Sequence, residues 1–260
     1  MEDRSVLDRS ARPADAEMYF GQPERPLIVL IHGGFWRPEY DLTHLRPMAT
    51  ALAEEGWPVA LLEYTRIPGR PDLMVADIKR ALDNLPGNIV LMGHSAGGHL
   101  ALWAASHRTN PPAPAGGTTA HADLPAAPAG GATAHADLLA ADGDGAGASA
   151  HASGVGRVPV IALAPVADLE LAREMDLDEG AVRDFLGDHD AGPYQPTVDG
   201  ATLIHGTDDV IVPVSVSERY VSRHERCRLV AVPGEGHFAL IDPESRAWPV
   251  VIDELNRLLA

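Results

Sequence analysis

Six short apolar runs punctuate the 260-residue chain, at 27–31, 58–63, 88–92, 159–163, 201–205 and 228–232. They are rich in Val, Ile and Leu without polar alternation, which predicts strands buried on both faces. Between them, segments with helix-period apolar positions predict helices over 41–55, 71–85, 96–107, 178–186, 214–222 and 243–259. Strands that alternate with helices predict an α/β fold, with a mainly parallel central sheet flanked by helices. The segment before residue 27 is short, so the first one or two strands of such a sheet are expected to be missing or atypical. Residues 165–200 follow the end of a predicted strand and are the expected cap over a site at that edge.

One segment breaks the pattern. Residues 109–156 hold no aromatic residue, Lys or Arg and are dominated by Ala, Gly and Pro. Residues 114–124 return almost unchanged as 128–138, and a degenerate third copy ends at 150–152. Such a stretch buries too little apolar surface to offset its ordering entropy, which predicts a disordered low-complexity insert. His121, His135 and His151 read as duplicated sequence in preference to weak metal ligands, so no metal site is expected. The helix preceding the insert would run back across the sheet, so the insert is expected to project away from the functional edge.

The rest of the chain suits one domain, 1–260, interrupted by that insert. A formal charge of −17 argues against nucleic acid or an anionic membrane surface as a partner. Cys227 is the only cysteine, which excludes an intrachain disulfide, and a packed core thiol is expected there. Met1-Glu2-Asp3-Arg4-Ser5 lacks an apolar signal core and no apolar run reaches membrane length, so a cytoplasmic protein is expected.

The chemistry concentrates at Gly93-His94-Ser95-Ala96-Gly97-Gly98, between a predicted strand and a predicted helix. Strand, G-x-S-x-G and helix make the sequence of a nucleophile elbow. A nucleophilic serine needs a base, the base an orienting carboxylate, and the oxyanion a pair of N–H donors. Downstream, two adjacent aspartates, Asp208 and Asp209, compete as the acid in His205-Gly206-Thr207-Asp208-Asp209-Val210. His237 lies in the polar loop Pro233-Gly234-Glu235-Gly236-His237-Phe238, a poor place for a packed core histidine. Upstream, a strand runs into His32-Gly33-Gly34-Phe35-Trp36, whose glycines let backbone approach a substrate. His32 and His94 are expected to hold loop backbone in shape. Phe35, Trp36 and Phe238 are candidates for an acyl or aromatic pocket, and Trp103 for the core. Arg66 either meets a substrate carboxylate or, more commonly for an arginine, stays solvated.

His32-Gly33-Gly34-Phe35-Trp36 together with Gly93-His94-Ser95-Ala96-Gly97-Gly98-His99 resembles the α/β-hydrolase superfamily. The spelling is most similar to the kynurenine formamidase (arylformamidase) and small carboxylesterase branch. That branch carries H-G-G-x-W where hormone-sensitive-lipase-like esterases carry H-G-G-G. Pro165-Val166-Ala167-Asp168-Leu169 also resembles the branch's strand-end G-x-x-D-L segment. The resemblance spans everything except the N-terminal residues and the insert. It implies a triad in the chain order Ser95, Asp209, His237, since an Asp, two variable residues and then Val-Pro is the usual spelling of the acid. Asp208 is then the turn former. It also implies oxyanion donors at Ala96 and at Gly34 or Phe35. The implied reaction is hydrolysis of a small amide or ester through an acyl-enzyme, without metal or organic cofactor. N-formylkynurenine or a similar formamide is the first expected substrate, and a short-chain ester the second. A catalytically silent binding protein is the alternative from another class, against which the intact serine, acid and base argue. A scaffold role through the insert is a weaker third.

Overall fold

The computed structural model describes residues 16–258 except Pro86, 111–133 and 137–155. The chain enters through a strand, Ala16–Tyr19 (β1), then Leu27–Ile31 (β2), helix Arg46–Glu54 (α1) and Val59–Leu62 (β3). Helix Pro71–Asp83 (α2) leads to Ile89–His94 (β4) and helix Ala96–His107 (α3). Three short strands follow, Thr109–Asn110 (β5), Ala134–Ala136 (β6) and Gly156–Arg157 (β7), and then Val160–Leu163 (β8). Helices Leu169–Glu174 (α4) and Leu177–Leu186 (α5) precede Thr202–Gly206 (β9). Helix Ser215–Arg223 (α6), strand Arg228–Val232 (β10) and helix Trp248–Arg257 (α7) complete the chain.

Eight described strands form one sheet in the order β10-β9-β8-β4-β2-β3-β1-β6. The six from β10 to β3 are parallel, while β1 runs antiparallel to β3, and β6 to β1. The absence of polar alternation has a direct structural cause. On β2, Leu27, Val29 and Ile31 pack with α2 and α3 on one side, while Ile28 and Leu30 pack with α1 and α7 on the other. Helices therefore cover both faces, and the C-terminal ends of the parallel strands share one edge.

All six expected strands are present. β1 was not expected, because Ala16-Glu17-Met18-Tyr19 carries no clear strand pattern. Its Glu17 is buried, a costly state for an isolated carboxylate, and Arg46 of α1 compensates it with Nε 2.9 Å from Oε2. Helix α4 was also missed. It is capped by Asp168, whose Oδ1 accepts from the Leu171 N–H at 2.9 Å. The last helix starts later than expected, at Trp248, with Pro249 in its first turn, where a missing N–H costs nothing.

α3 carries the chain about 18 Å back from the C-terminal edge of the sheet. There β5 pairs antiparallel with β7, so the insert leaves and rejoins at the opposite edge through a two-residue ladder. Within the insert, β6 adds to the free side of β1, while 111–133 and 137–155, with His121 and His151, lie outside the described residues.

Leu91 lies on the central strand β4 and is fully buried. Leu91→Ala should lower unfolding stability by about 2–5 kcal/mol through lost transfer energy and the cavity left behind. Denaturant titration, with the slope unchanged, is the measurement.

Candidate active site

β4 ends at His94 and Ser95 caps α3 with φ 57° and ψ −120°, a conformation that costs a non-glycine residue energy. The turn is held on both sides. Ser95 N–H donates to the Leu163 carbonyl (2.8 Å), and the Ser95 carbonyl accepts from His99 (3.1 Å) and Val166 (3.3 Å). A Cβ at Gly93 would sit 2.2 Å from the Gly97 oxygen, and one at Gly97 2.1 Å from the Ile31 oxygen. Only glycine lets strand and helix close this tightly. Ser95 is buried, and Ala96 opens the helix, whose first N–H groups lack intrahelical partners and favour negative charge.

The loop after β2 lies against this turn. A Cβ on Gly33 would meet the Ser95 Cβ at 3.0 Å. Gly34, Phe35 and Trp36 all have positive φ, at 104°, 48° and 57°. A buried polar network supports this shape. His32 Nδ1 donates to the Gly33 carbonyl (2.8 Å) and Nε2 meets Glu63 at 2.9 Å. Tyr64 stacks on the His32 ring (4.4 Å between centroids), and its hydroxyl donates to the His32 carbonyl (3.1 Å). Burial alone would raise the Glu63 carboxyl, but hydrogen bonds and charge from His32 and Arg66 bring it down to about 2. Arg66 is therefore neither solvated nor free to meet a substrate. It is buried, paired with Glu63 and bonded to the Tyr64 carbonyl at 2.7 Å.

The loops after β9 and β10 meet through another glycine, since a Cβ on Gly206 would fall 2.1 Å from the Glu235 oxygen. This contact brings His237 Nδ1 to 2.6 Å from Asp209 Oδ2. Asp209 Oδ1 accepts from the Ile211 and Val212 N–H groups, both at 2.9 Å. Burial opposes ionisation of Asp209, but hydrogen bonds from His205, His237 and backbone outweigh it and hold the carboxyl well below its usual range. Asp208 is exposed and accepts instead from the Thr207 hydroxyl at 2.9 Å. Of the two aspartates, Asp209 alone pairs with His237. His94 Nε2 donates to the His237 carbonyl (3.0 Å); burial and the His237 charge push its imidazole well below the ordinary value. His94 therefore stays neutral and supports the loop.

A cavity of about 200 Å³ opens beside the glycine loop, walled by Phe35, Trp36 and Phe185 and edged by Arg37, Glu39 and Asp184. Trp36 stacks on Phe185 of α5 at 4.3 Å. Arg37 bridges to the same helix, with Nε 3.0 Å from Asp178 Oδ2 and Nη2 3.6 Å from Asp184 Oδ2. Phe238 lies outside that lining. It is 58% exposed and meets the His237 ring edge-on at 5.2 Å. Trp103 is core, with Nε1 donating to the Pro193 carbonyl (2.9 Å), and Cys227 is half-buried against the core. Asp168, apart from its cap, pairs with Arg219 and Arg223 of α6, which anchors α4. Glu63, His205, Arg37, Asp184 and Phe185 were missed. Glu63 and His205 also have near partners, Arg66 and Asp209, but the contacts that give all five their roles come largely from other elements.

A sequence profile described as the alpha/beta hydrolase family matches residues 28–247. The chain belongs to the alpha/beta hydrolase family. It has the fold that the sequence predicts. The chain is 32% identical over 91 residues to the kynurenine formamidase of Danio rerio, covering 32% of this chain and 31% of the relative. It is 33% identical over 98 residues to "Probable carboxylic ester hydrolase LipM" of Mycobacterium tuberculosis, covering 33% of this chain and 22% of that protein. The chain thus matches about a third or less of the length of these curated relatives. Among solved structures it resembles Thermogutta terrifontis esterase 2 phosphoramylated by tabun. That comparison has a TM-score of 0.60 and 22% identity over 95% of this chain and 88% of the other. No helix among the described residues is long and apolar enough to cross a membrane.

Because the Glu63 carboxyl lies at about 2 rather than 4.5, the protein should draw stability from it in full above pH 4.5 and lose it as the pH falls toward 2. Glu63→Gln removes the ionised carboxylate. The variant should be on the order of 2 kcal/mol less stable near pH 6, the gap narrowing steadily at lower pH. Unfolding titrations across that range measure it.

Proposed function

We propose that this hydrolase cleaves a small amide or ester through an acyl-enzyme formed on Ser95, with N-formylkynurenine or a similar aryl formamide as its first substrate. The observation that carries the reading is the 2.6 Å pair of His237 Nδ1 and Asp209 Oδ2 at the sheet edge that also bears Ser95 on its strained turn. With its Nδ1–H donated in a hydrogen bond to Asp209, the neutral His237 ring keeps an unprotonated Nε2, the nitrogen a general base needs.

In this mechanism the Ser95 hydroxyl attacks the carbonyl carbon while His237 Nε2 takes its proton. The N–H groups of Ala96 and of Gly34 or Phe35 stabilise the oxyanion, helped by the N-terminus of α3. The tetrahedral species collapses, the C–N or C–O bond breaks, and His237 protonates the leaving amine or alcohol. Water then gives its proton to His237, attacks the acyl-enzyme and restores the serine. Asp209 keeps the ring in its working tautomer and offsets the charge His237 carries between the two transfers.

The choice of an aryl formamide rests on the similarity to kynurenine formamidase and on the aromatic walls of Phe35, Trp36 and Phe185. Those walls suit a flat leaving group, and residues 165–200 act as the cap that supplies one of them. The similarity to a carboxylic ester hydrolase favours a second reading, a short-chain carboxylesterase. No nucleic acid or membrane is needed for either reaction.

Turnover of N-formylkynurenine beside p-nitrophenyl acetate tests the reading. Ser95→Ala, His237→Ala and Asp209→Asn should each lower kcat by about 10³-fold or more, and the Ser95/His237 double variant should lose little beyond either alone. A strong preference for the formamide supports the first reading, and ester cleavage alone supports the second. Undiminished turnover in Ser95→Ala would sink both.

A further inference from the structure

Asp209 has one partner that the acyl-transfer scheme above leaves without a task. His205, at the C-terminal end of β9, is fully buried, and its Nε2 lies 3.2 Å from Asp209 Oδ2, the oxygen that receives His237. The same Nε2 is 2.8 Å from the Val212 carbonyl. Both neighbours are acceptors, so Nε2 carries the proton and is shared between them. On the other side of the ring, Nδ1 is 2.7 Å from the hydroxyl of Ser217, itself buried on α6. Ser217 fits as donor to Nδ1, which fixes the tautomer that points an N–H at Asp209.

We propose that His205, held by Ser217, is a positioning residue that orients Asp209 and sets how strongly its Oδ2 holds the His237 proton; this rests on the serine-hydrolase reading above. The physical argument has two parts. The carboxylate is clamped by the Ile211 and Val212 N–H groups on Oδ1 and by His205 on Oδ2, so its plane is set before His237 binds to it. A carboxylate oxygen that accepts two hydrogen bonds also has its negative charge spread over both and attracts each donor less. The titratable groups facing this carboxylate are His205 on β9, His237 on the loop after β10 and His94 at the end of β4. His205 meets it from β9, the strand that leads into the Asp209 loop.

Removing the His205 donor concentrates charge on Oδ2 and tightens its hold on the His237 proton, so the base becomes neutral only at higher pH. His205→Gln places an amide N–H near the original Nε2, whereas His205→Leu offers none. The experiment measures kcat, KM and the pH profile of kcat/KM for both variants and for Ser217→Ala. It also records the low-field Nδ1–H proton resonance of His237 in substrate-free protein. His205→Leu should lose about 10–100-fold in kcat with KM nearly unchanged, as expected when an orienting partner is removed. Its acid limb should move to higher pH and its resonance downfield, and His205→Gln should restore all three toward wild type. Ser217→Ala, which deletes only a hydroxyl, should move limb and resonance in the same direction by less, and it decides the matter if His205→Leu does not fold. Equal losses in Leu and Gln variants with limb and resonance unmoved, or an unmoved limb and resonance in Ser217→Ala, would overturn the proposal. If the wild type turns over no ester or formamide, the functional reading fails by itself, and the proton resonance alone still decides for or against His205.

Discussion

The candidate site depends on backbone meeting backbone with no side chain between. Gly93 and Gly97 let β4 and α3 close on each other and on the end of β2, and Gly206 lets the β9 and β10 loops touch. At each of these places a single added carbon would fall 2.1–2.2 Å from a carbonyl oxygen, well inside van der Waals contact. Relief would require moving a strand end by more than an ångström. The positions of Ser95, Asp209 and His237 are thus consequences of three glycines as much as of their own side chains.

Polar burial follows from this closeness. Loops packed so tightly cannot keep their carbonyls and N–H groups in water, so side chains take over that role. His32 serves the Gly33 carbonyl, Tyr64 the His32 carbonyl, His94 the His237 carbonyl and His205 the Val212 carbonyl. Several of these histidines sit in motifs that look catalytic in a sequence. Their geometry assigns most of them to backbone support, and leaves His237 and His205 as the rings that meet Asp209.

How much of this was legible in the chain depended on range. The six expected strands could be read because helices on both faces force uniform apolar runs, and the turn at Ser95 because its glycines and its serine are contiguous. β10, at the edge of the sheet, is nevertheless largely half-exposed or exposed rather than buried on both faces. β1 could not be read, since a strand holding a buried Glu17 makes sense only once Arg46 is beside it. The choice of Asp209 over Asp208 came from the family resemblance, which carries the acid before Val-Pro, and the structure pairs Asp209 with His237. Arg66 was misjudged because its partner, Glu63, is held by a histidine 31 positions earlier in the chain. Phe185 and Asp184 reach the glycine loop only through tertiary packing, and no local signal announces such residues.

The Arg37 bridge carries a consequence for how such a protein can change over generations. Arg37 belongs to the strand-end loop, whereas Asp178 and Asp184 belong to α5, and Trp36 stacks on Phe185 of that same helix. The helix that shapes the cavity and the loop beside the serine therefore form a single mechanical body. Altering α5 to admit a different molecule would also disturb the left-handed backbone of Phe35 and Trp36. Novelty in what is bound would then come with compensating changes near residue 37, and drift in these two stretches should be correlated.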